Sequence, residues 1–178
     1  MREAGRVLLI CIFILFFATA SQAQNYTDYA NEKFNFKIMY PKQWMIQKIP
    51  AREGVIVSFV GPVNKYITVS ITVSKLNQPV SLKEYTDAVL FTLKSLAINT
   101  NIQQEKTVIG NEIALSITHT TSFDSPVLPP LTSQVFYIIH RGIFYQITTT
   151  ASKSFFSEAK KEYFNEILKS FVFLTKSK

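Results

Sequence analysis

The sequence is poor in the residues that most often carry catalytic chemistry. Its 178 residues include one cysteine, two histidines and five glycines. Cys11 lies in an apolar N-terminal run, so the rest of the chain can form neither a disulfide nor a thiolate nucleophile. The sequence contains no Gly-x-Ser-x-Gly elbow, no glycine-rich phosphate loop and no pair of histidines at helical spacing. We therefore expect a protein that is not an enzyme and that carries no cofactor.

The N-terminal segment has the layout of a secretory signal peptide. Two arginines and an unbroken apolar run at residues 7–18 are followed by small residues. A membrane-spanning helix needs roughly 20 apolar residues, so a permanent anchor is the less favoured alternative. Small residues permit cleavage after Ala20 or Ala23. The sequence thus predicts a signal peptide at residues 1–23, one domain at residues 24–178, and a secreted or periplasmic location.

The chain is basic, with 19 lysines and arginines against 12 acidic residues and a net charge of +7. Loss of residues 1–23 removes two arginines and one glutamate and leaves +6. In an exported protein this balance does not point to nucleic acid, but it favours contact with anionic surfaces. Six lysines either solubilise the surface or steer the domain to anionic lipid or acidic protein: Lys153, Lys160, Lys161, Lys169, Lys176 and Lys178.

Alternating side chains predict an antiparallel sheet. In "YITVSITVSKL" every second residue from Ile67 to Val73 is apolar, and "VIVSFVG" and "EIALSITHTTS" are also typical of strands. A weaker strand, "IQQEKTVI", turns at Gly110 and Asn111 into the next one.

The segment "SQVFYIIHRGIFYQITTTA" predicts a hairpin with a two-residue turn at Arg141 and Gly142. This register places Ile139 opposite Phe144, Ile138 opposite Tyr145 and Phe136 opposite Ile147. Both faces of the hairpin then carry large apolar groups. Leaving such a group in water forfeits about 1.5–3 kcal/mol, so the sheet must be covered on both faces.

Two amphipathic helices are available to cover the sheet. The first begins with a capping box formed by Ser81 and Glu84, and the second begins near Ser154. Their apolar stripes consist of Leu82, Tyr85, Val89, Leu93 and Leu96 in the first, and of Phe156, Tyr163, Phe164, Ile167, Leu168 and Phe171 in the second. Because helices do not alternate with strands, the order of elements predicts an α+β fold with a central antiparallel sheet and helices packed on both faces.

Four segments in order, "FNFKIMYPKQW", "SLKEYTDAV", "RGIFYQITTTA" and "FNEILKSFVF", resemble the PsbP-like family over about residues 29–173. The resemblance implies an α/β/α sandwich and an exported module that docks on a protein or membrane complex. The best-known members are extrinsic subunits of photosystem II that help retain calcium and chloride, a role that requires a photosynthetic host. We interpret Pro41 as the end of an edge strand and Trp44 as an apolar plug over that edge.

Candidate metal ligands are few. His119 and His140 each lie at a strand end, where a structural, hydrogen-bonded histidine is the ordinary case. If the two met near Asp124, they would form a weak divalent-ion site. A carrier of calcium, manganese, zinc or a small ligand, held between sheet and helix, is therefore the alternative to an interaction module.

The segment "FDSPVLPPL" contains three prolines and predicts a loop that cannot join the sheet. Rigid apolar residues on a loop lose little entropy on binding, so the loop is either a solvated connection or a docking element. The candidate partner-binding residues are Pro126, Val127, Leu128, Pro129 and Pro130. The sequence does not identify the protein or membrane complex that would bind them.

Overall fold

The computed structural model of the protein describes residues 25–48, 55–75 and 80–175. The predicted signal peptide, Lys176 and Lys178 lie outside these residues. The strands are β1 (Tyr26–Asn31), β2 (Phe36–Pro41), β3 (Met45–Gln47), β4 (Val55–Val60), β5 (Thr68–Lys75), β6 (Asn99–Ile109), β7 (Glu112–Thr121), β8 (Leu131–His140), β9 (Ile143–Ser152) and β10 (Val172–Phe173). The helices are α1 (Leu82–Ser95), α2 (Phe156–Ala159) and α3 (Asn165–Lys169), with a 3₁₀ turn at Val63–Lys65.

The strands form two sheets in which every pairing is antiparallel. A seven-stranded sheet has the order β3-β4-β5-β9-β8-β7-β6, and a three-stranded sheet has the order β1-β2-β10. The predicted α+β class with a central antiparallel sheet is confirmed. The separate small sheet was not predicted, because the sequence analysis assigned all strands to one layer.

The predicted hairpin forms in the predicted register. Ile139 lies opposite Phe144, Ile138 opposite Tyr145 and Phe136 opposite Ile147. The turn residues Arg141 and Gly142 both have positive φ, 50° and 74°, as a tight hairpin turn requires. The β6–β7 turn at residues 110–111 likewise has positive φ at both positions. The same end of the large sheet therefore carries two tight turns.

Two apolar clusters lie on opposite faces of the large sheet. The larger cluster includes Ile138, Tyr145 and Ile147, and residues of the second helical stretch pack into it. The smaller cluster consists of Ile117, Val135, Tyr137 and Phe144, and α1 covers it with Leu82, Tyr85, Val89, Leu90 and Leu93. Helices thus cover both faces, as predicted.

Helix α1 begins as its sequence indicates. The Ser81 hydroxyl accepts a hydrogen bond from the Glu84 amide at 3.2 Å, and the Glu84 carboxylate accepts one from the Ser81 amide at 3.0 Å. This reciprocal pair satisfies two amides that a helix N-terminus otherwise leaves without partners. The helix is therefore fixed where its apolar stripe first meets the sheet.

The second predicted helix is not a regular α-helix. A π-helical turn at Lys160–Phe164 joins α2 to α3, and we call residues 156–169 the C-terminal helix. Phe164, Ile167 and Leu168 are buried in the larger cluster, as is Phe171 just beyond the helix. A π turn inserts one residue into the helical repeat, which periodicity did not reveal.

The interpretation of β2 as an edge strand is wrong, because β2 lies between β1 and β10. However, β10 pairs only with Phe36 and Lys37, so the Pro41 end of β2 has a neighbour on the β1 side alone. A proline is tolerated there because no strand on the other side needs its missing amide hydrogen.

Trp44 is buried, with 5% of its surface exposed. Its amide donates a hydrogen bond to the Pro41 carbonyl at 2.9 Å, which closes a turn after β2. The indole packs against Gly61 and lies 5.3 Å from the Tyr163 ring, measured between ring centroids. Trp44 thus joins the β2 turn to the C-terminal helix.

Candidate functional site

The longer connections meet at the end of the large sheet opposite the two tight turns. The strand register aligns Asn99 with Thr121, Thr121 with Leu131 and Leu131 with Ser152. The α1–β6 connection, the β7–β8 loop and the β9–α2 connection therefore start from neighbouring strand ends. We call residues 122–130, which form the β7–β8 loop, the proline loop.

Backbone hydrogen bonds fix the proline loop to its neighbours. The Ser122 amide donates to the Ile98 carbonyl at 2.9 Å, and the Lys153 amide donates to the Pro130 carbonyl at 2.8 Å. Within the loop, the Val127 amide donates to the Ser125 hydroxyl at 3.3 Å. The loop is held at both ends, and its three prolines restrict the backbone between them.

Large apolar side chains are exposed at this end of the sheet. Val127 is 77% exposed, and four others are between 40% and 50% exposed. We define the apolar end as these five side chains: Leu96, Ile98, Phe123, Val127 and Leu128. Scattered exposed apolar residues are ordinary, but these occupy two connections joined by the hydrogen bond between Ser122 and Ile98.

The predicted partner-binding residues divide between a tip and a base. Val127 and Leu128 project into solvent, whereas Pro129 and Pro130 line an open pocket of about 400 Å³ with Lys153 and Ser154. The structure thus brings Lys153, one of the six predicted basic residues, beside the proline loop.

The two histidines lie far apart. His119 is opposite Ser133 in the register, and His140 is seven residues further along β8, roughly 23 Å away. They also face opposite sides of the sheet, because seven residues is an odd number. Asp124 lies in the exposed proline loop. Among the described residues no group of three or more His, Cys, Asp or Glu side chains is placed to hold a metal ion.

Each histidine has its own surroundings. His140 Nδ1 lies 2.7 Å from Glu112 Oε1, and its ring stacks on Phe173 at 3.9 Å between centroids. His119 Nδ1 is buried and has no hydrogen-bond partner among the described residues. Burial lowers the pKa of His119 from its ordinary value because it disfavours the charged form.

A groove of about 250 Å³ lies between the C-terminal helix and strands β6, β7 and β8. Ser116 and Gln134 are almost fully buried in its floor, and the Gln134 side-chain amide donates to the Ser116 hydroxyl at 3.4 Å. Phe136 and Leu168 supply the apolar part of its lining. The groove thus combines polar and apolar surface, which is typical of small-molecule sites.

Charged residues stand on both walls of this sheet–helix groove. Lys160 and Lys169 lie on the helix wall and Glu105 on the β6 wall. Lys169 pairs with Glu166 at 2.7 Å. Neither Lys160, which is half-buried, nor Glu105 forms an ion pair with any of the described residues. The groove therefore has one base and one acid available to a ligand.

A second groove, with a volume of about 520 Å³, lies between α1 and strands β6 and β7. Its charged lining includes Lys83 and Asp87, which form an ion pair with each other one helical turn apart. Glu105 and Lys106 also line this groove without an ion pair among the described residues. None of its lining residues is buried, unlike Ser116 in the sheet–helix groove, so the sheet–helix groove is the more enclosed site.

Sequence reasoning placed the alternative ligand between sheet and helix but did not identify the residues that line the sheet–helix groove. Glu105 and Ser116 lie opposite each other across the β6–β7 pair, and that pairing was predicted from the turn at residues 110–111. The residues on the opposite wall, which the C-terminal helix forms, were harder to identify from the sequence. Lys160 was grouped with the basic residues that solubilise the surface or steer the domain, but it begins the π turn and lines the groove.

The chain matches no protein-family model and no curated protein. Among solved structures it resembles the cyanobacterial PsbP protein CyanoP from Synechocystis sp. PCC 6803, with a TM-score of 0.64, 15% identity, and coverage of 88% of this chain and 96% of that one. LpqN of Mycobacterium tuberculosis, a protein involved in cell envelope biogenesis, is similar with a TM-score of 0.57, 14% identity, and coverage of 89% and 97%. The Ran-binding protein Mog1p of Saccharomyces cerevisiae has a TM-score of 0.51, 10% identity, and coverage of 85% and 97%. These similarities establish a shared fold, which the predicted PsbP-like resemblance anticipated.

Proposed function

We propose that the protein is an exported, non-catalytic module that docks through its apolar end on another protein or on a membrane complex of the envelope. The observation that carries this proposal is the exposure of five large apolar side chains on two connections tied together by a backbone hydrogen bond. Full burial of a large apolar side chain contributes about 1.5–3 kcal/mol, so covering Val127 contributes most of that amount and covering each of the four half-buried side chains contributes about half of it. A loop that is already held in place loses little entropy in doing so.

Export rests on the signal-peptide layout of residues 1–23, which lie outside the described residues. Within residues 25–48, 55–75 and 80–175 no helix is long and apolar enough to cross a membrane. CyanoP and LpqN share the fold, and LpqN is named for its part in cell envelope biogenesis. A role as an extrinsic photosystem II subunit is the form that the proposal takes in a photosynthetic host.

The docking proposal is tested by removing the apolar character of the loop tip in the native host. In a tagged protein, Val127→Thr/Leu128→Thr keeps the loop length and its prolines while adding two hydroxyl groups. The matched control, Val108→Thr/Ile113→Thr, changes two exposed apolar residues near the tight turns, where the exposed fractions are 64% and 55%.

We expect the loop variant to lose a partner that co-purifies in stoichiometric amount with the wild type and with the control. Mass spectrometry of the purified complexes measures this loss. An unchanged partner in the loop variant, or a wild-type protein that purifies alone from its own envelope, would contradict docking through the apolar end.

A small-ligand carrier is the second candidate function, and the sheet–helix groove favours it. The groove occupies the space between sheet and helix that the alternative requires, and its lining is both polar and apolar. The metal-ion form of this candidate has no comparable support, because His119 on β7 pairs with Ser133 near the start of β8, whereas His140 is the last residue of β8.

A further inference from the structure

We propose that the sheet–helix groove binds a small zwitterion with an apolar body, such as a free α-amino acid with an aliphatic side chain. This inference rests on the second candidate function, the small-ligand carrier, and is independent of docking through the apolar end. Three properties of the groove define the ligand: its charges, its floor and its volume.

The charges call for a ligand that carries one positive and one negative group. Lys160 on the helix wall and Glu105 on the β6 wall have no ion-pair partner among the described residues, although both line the same groove. Their charged atoms are therefore more than 4 Å apart, since they form no salt bridge with each other. A ligand with a carboxylate and an ammonium group pairs with both residues at once. A ligand that is only an anion pairs with Lys160 but leaves Glu105 without a cationic partner and is repelled by it.

The half-burial of Lys160 strengthens this reading. A lysine side chain that is already packed along the groove wall loses less conformational entropy when its ammonium group pairs with a ligand carboxylate. The π turn that begins at Lys160 directs the residue into the groove, and such turns are frequent at functional sites. Asn165, one turn further along the helix, also lines the groove and supplies an amide donor for the same carboxylate.

The floor and the volume set the rest of the ligand. Phe136 and Leu168 offer apolar surface to an aliphatic group, while the buried Ser116 and Gln134 supply hydrogen-bonding groups beside it. The volume of about 250 Å³ lies below the ~300 Å³ at which sites for drug-sized molecules begin. The ligand is therefore small, on the scale of a single amino acid.

The test uses free L-leucine as the probe and two analogues that each lack one charge. The analogue 4-methylpentanoate keeps the carboxylate without the ammonium group, and 3-methylbutylamine keeps the ammonium group without the carboxylate. Titration of isotope-labelled protein, followed by NMR through the side-chain amide signals of Gln134 and Asn165, reports binding at the groove itself. We expect L-leucine to shift both signals in a saturable manner and each analogue to bind about tenfold or more weakly.

Two charge-removing variants, Lys160→Met and Glu105→Gln, are each expected to weaken L-leucine binding about tenfold or more. Their matched controls are Lys161→Met and Glu32→Gln, which alter exposed residues that do not line the groove. The zwitterion assignment is overturned if 4-methylpentanoate binds as tightly as L-leucine, or if the groove variants bind like the controls. It is also overturned if L-leucine, L-valine and L-methionine all leave the Gln134 and Asn165 signals unmoved. None of these results alters the docking proposal, which is tested separately by whether a partner co-purifies with the loop variant.

Discussion

Replacing Gly61 by alanine tests the packing of Trp44 that joins the β2 turn to the C-terminal helix. A β-carbon at Gly61 would lie 2.8 Å from Cε2 and 2.9 Å from Cζ2 of Trp44, closer than nonbonded carbon atoms approach. Because Trp44 is almost fully buried between Gly61 and Tyr163, the indole cannot move away without disturbing the helix. Overpacking of this kind costs about 1–3 kcal/mol.

The contact itself is isolated by a double-mutant cycle with Trp44→Leu. A leucine side chain ends at Cδ and has neither of the crowded ring atoms. We therefore expect the cost of Gly61→Ala to fall below about 0.5 kcal/mol in the Trp44→Leu background, although Trp44→Leu alone is destabilising by up to ~3–5 kcal/mol. Urea unfolding monitored by far-UV circular dichroism measures all four proteins, since Trp44 is the only tryptophan and fluorescence would be lost.

Gly142→Ala provides the control for this cycle. Gly142 has φ of 74°, and a β-carbon there meets nothing within 4 Å, so alanine costs about 1–2 kcal/mol through the backbone alone. That cost should be the same with Trp44 and with leucine at position 44. If Gly61→Ala is equally destabilising in both backgrounds, the indole does not crowd Gly61 and the packing argument fails.

Three further predictions concern the pH dependence, the first helix and export. Because burial lowers the pKa of His119, this histidine is protonated in the unfolded chain at a higher pH than in the folded protein. The stability of the wild type should therefore fall relative to that of His119→Gln as the pH drops below about 6.5. An unchanged difference in urea-unfolding free energy between pH 7.5 and 5 would disprove this. Ser81→Ala should lower the unfolding free energy by ~1 kcal/mol, because it removes the N-cap of α1. Ser95→Ala, at the other end of the helix, should lower it by less, and equal losses would show that the Ser81 cap does not stabilise the helix. The intact mass of protein from its native host should show cleavage after Ala20 or Ala23, and a full-length chain retained in membranes would refute export.

Local sequence patterns were sufficient for the parts of the fold that are close along the chain. The β8–β9 hairpin could be predicted to the residue because Gly142 fixes the turn and alternation fixes the faces. Helix α1 could be placed because its capping box lies directly before an apolar stripe. In each case the residues that specify the structure lie within about twenty positions of one another.

The missed features depend on contacts between distant segments. Strand β10 has only two residues, too few to alternate, yet its pairing with Phe36 and Lys37 places β2 inside a sheet. The sheet–helix groove depends on Glu105 and Lys160, which are 55 positions apart in the sequence. They line the same groove only because β6, the edge strand of the large sheet, lies beneath the C-terminal helix. Conversely, the exposure of Val127 and Leu128 was indicated by the prolines around them, since a segment excluded from the sheet must lie at the surface.

The unequal clusters on the two faces of the large sheet have a consequence for local opening. Among the described residues, only four buried apolar side chains of the sheet lie beneath α1, whereas the C-terminal helix and the small sheet close over a much larger set. Exchange of backbone amides with deuterated solvent should therefore be faster along α1 than along β5 and β9, whose side chains reach the larger cluster. If α1 separates from the sheet while the sheet stays intact, the molecule has a partly open state that forms without unfolding of the whole domain.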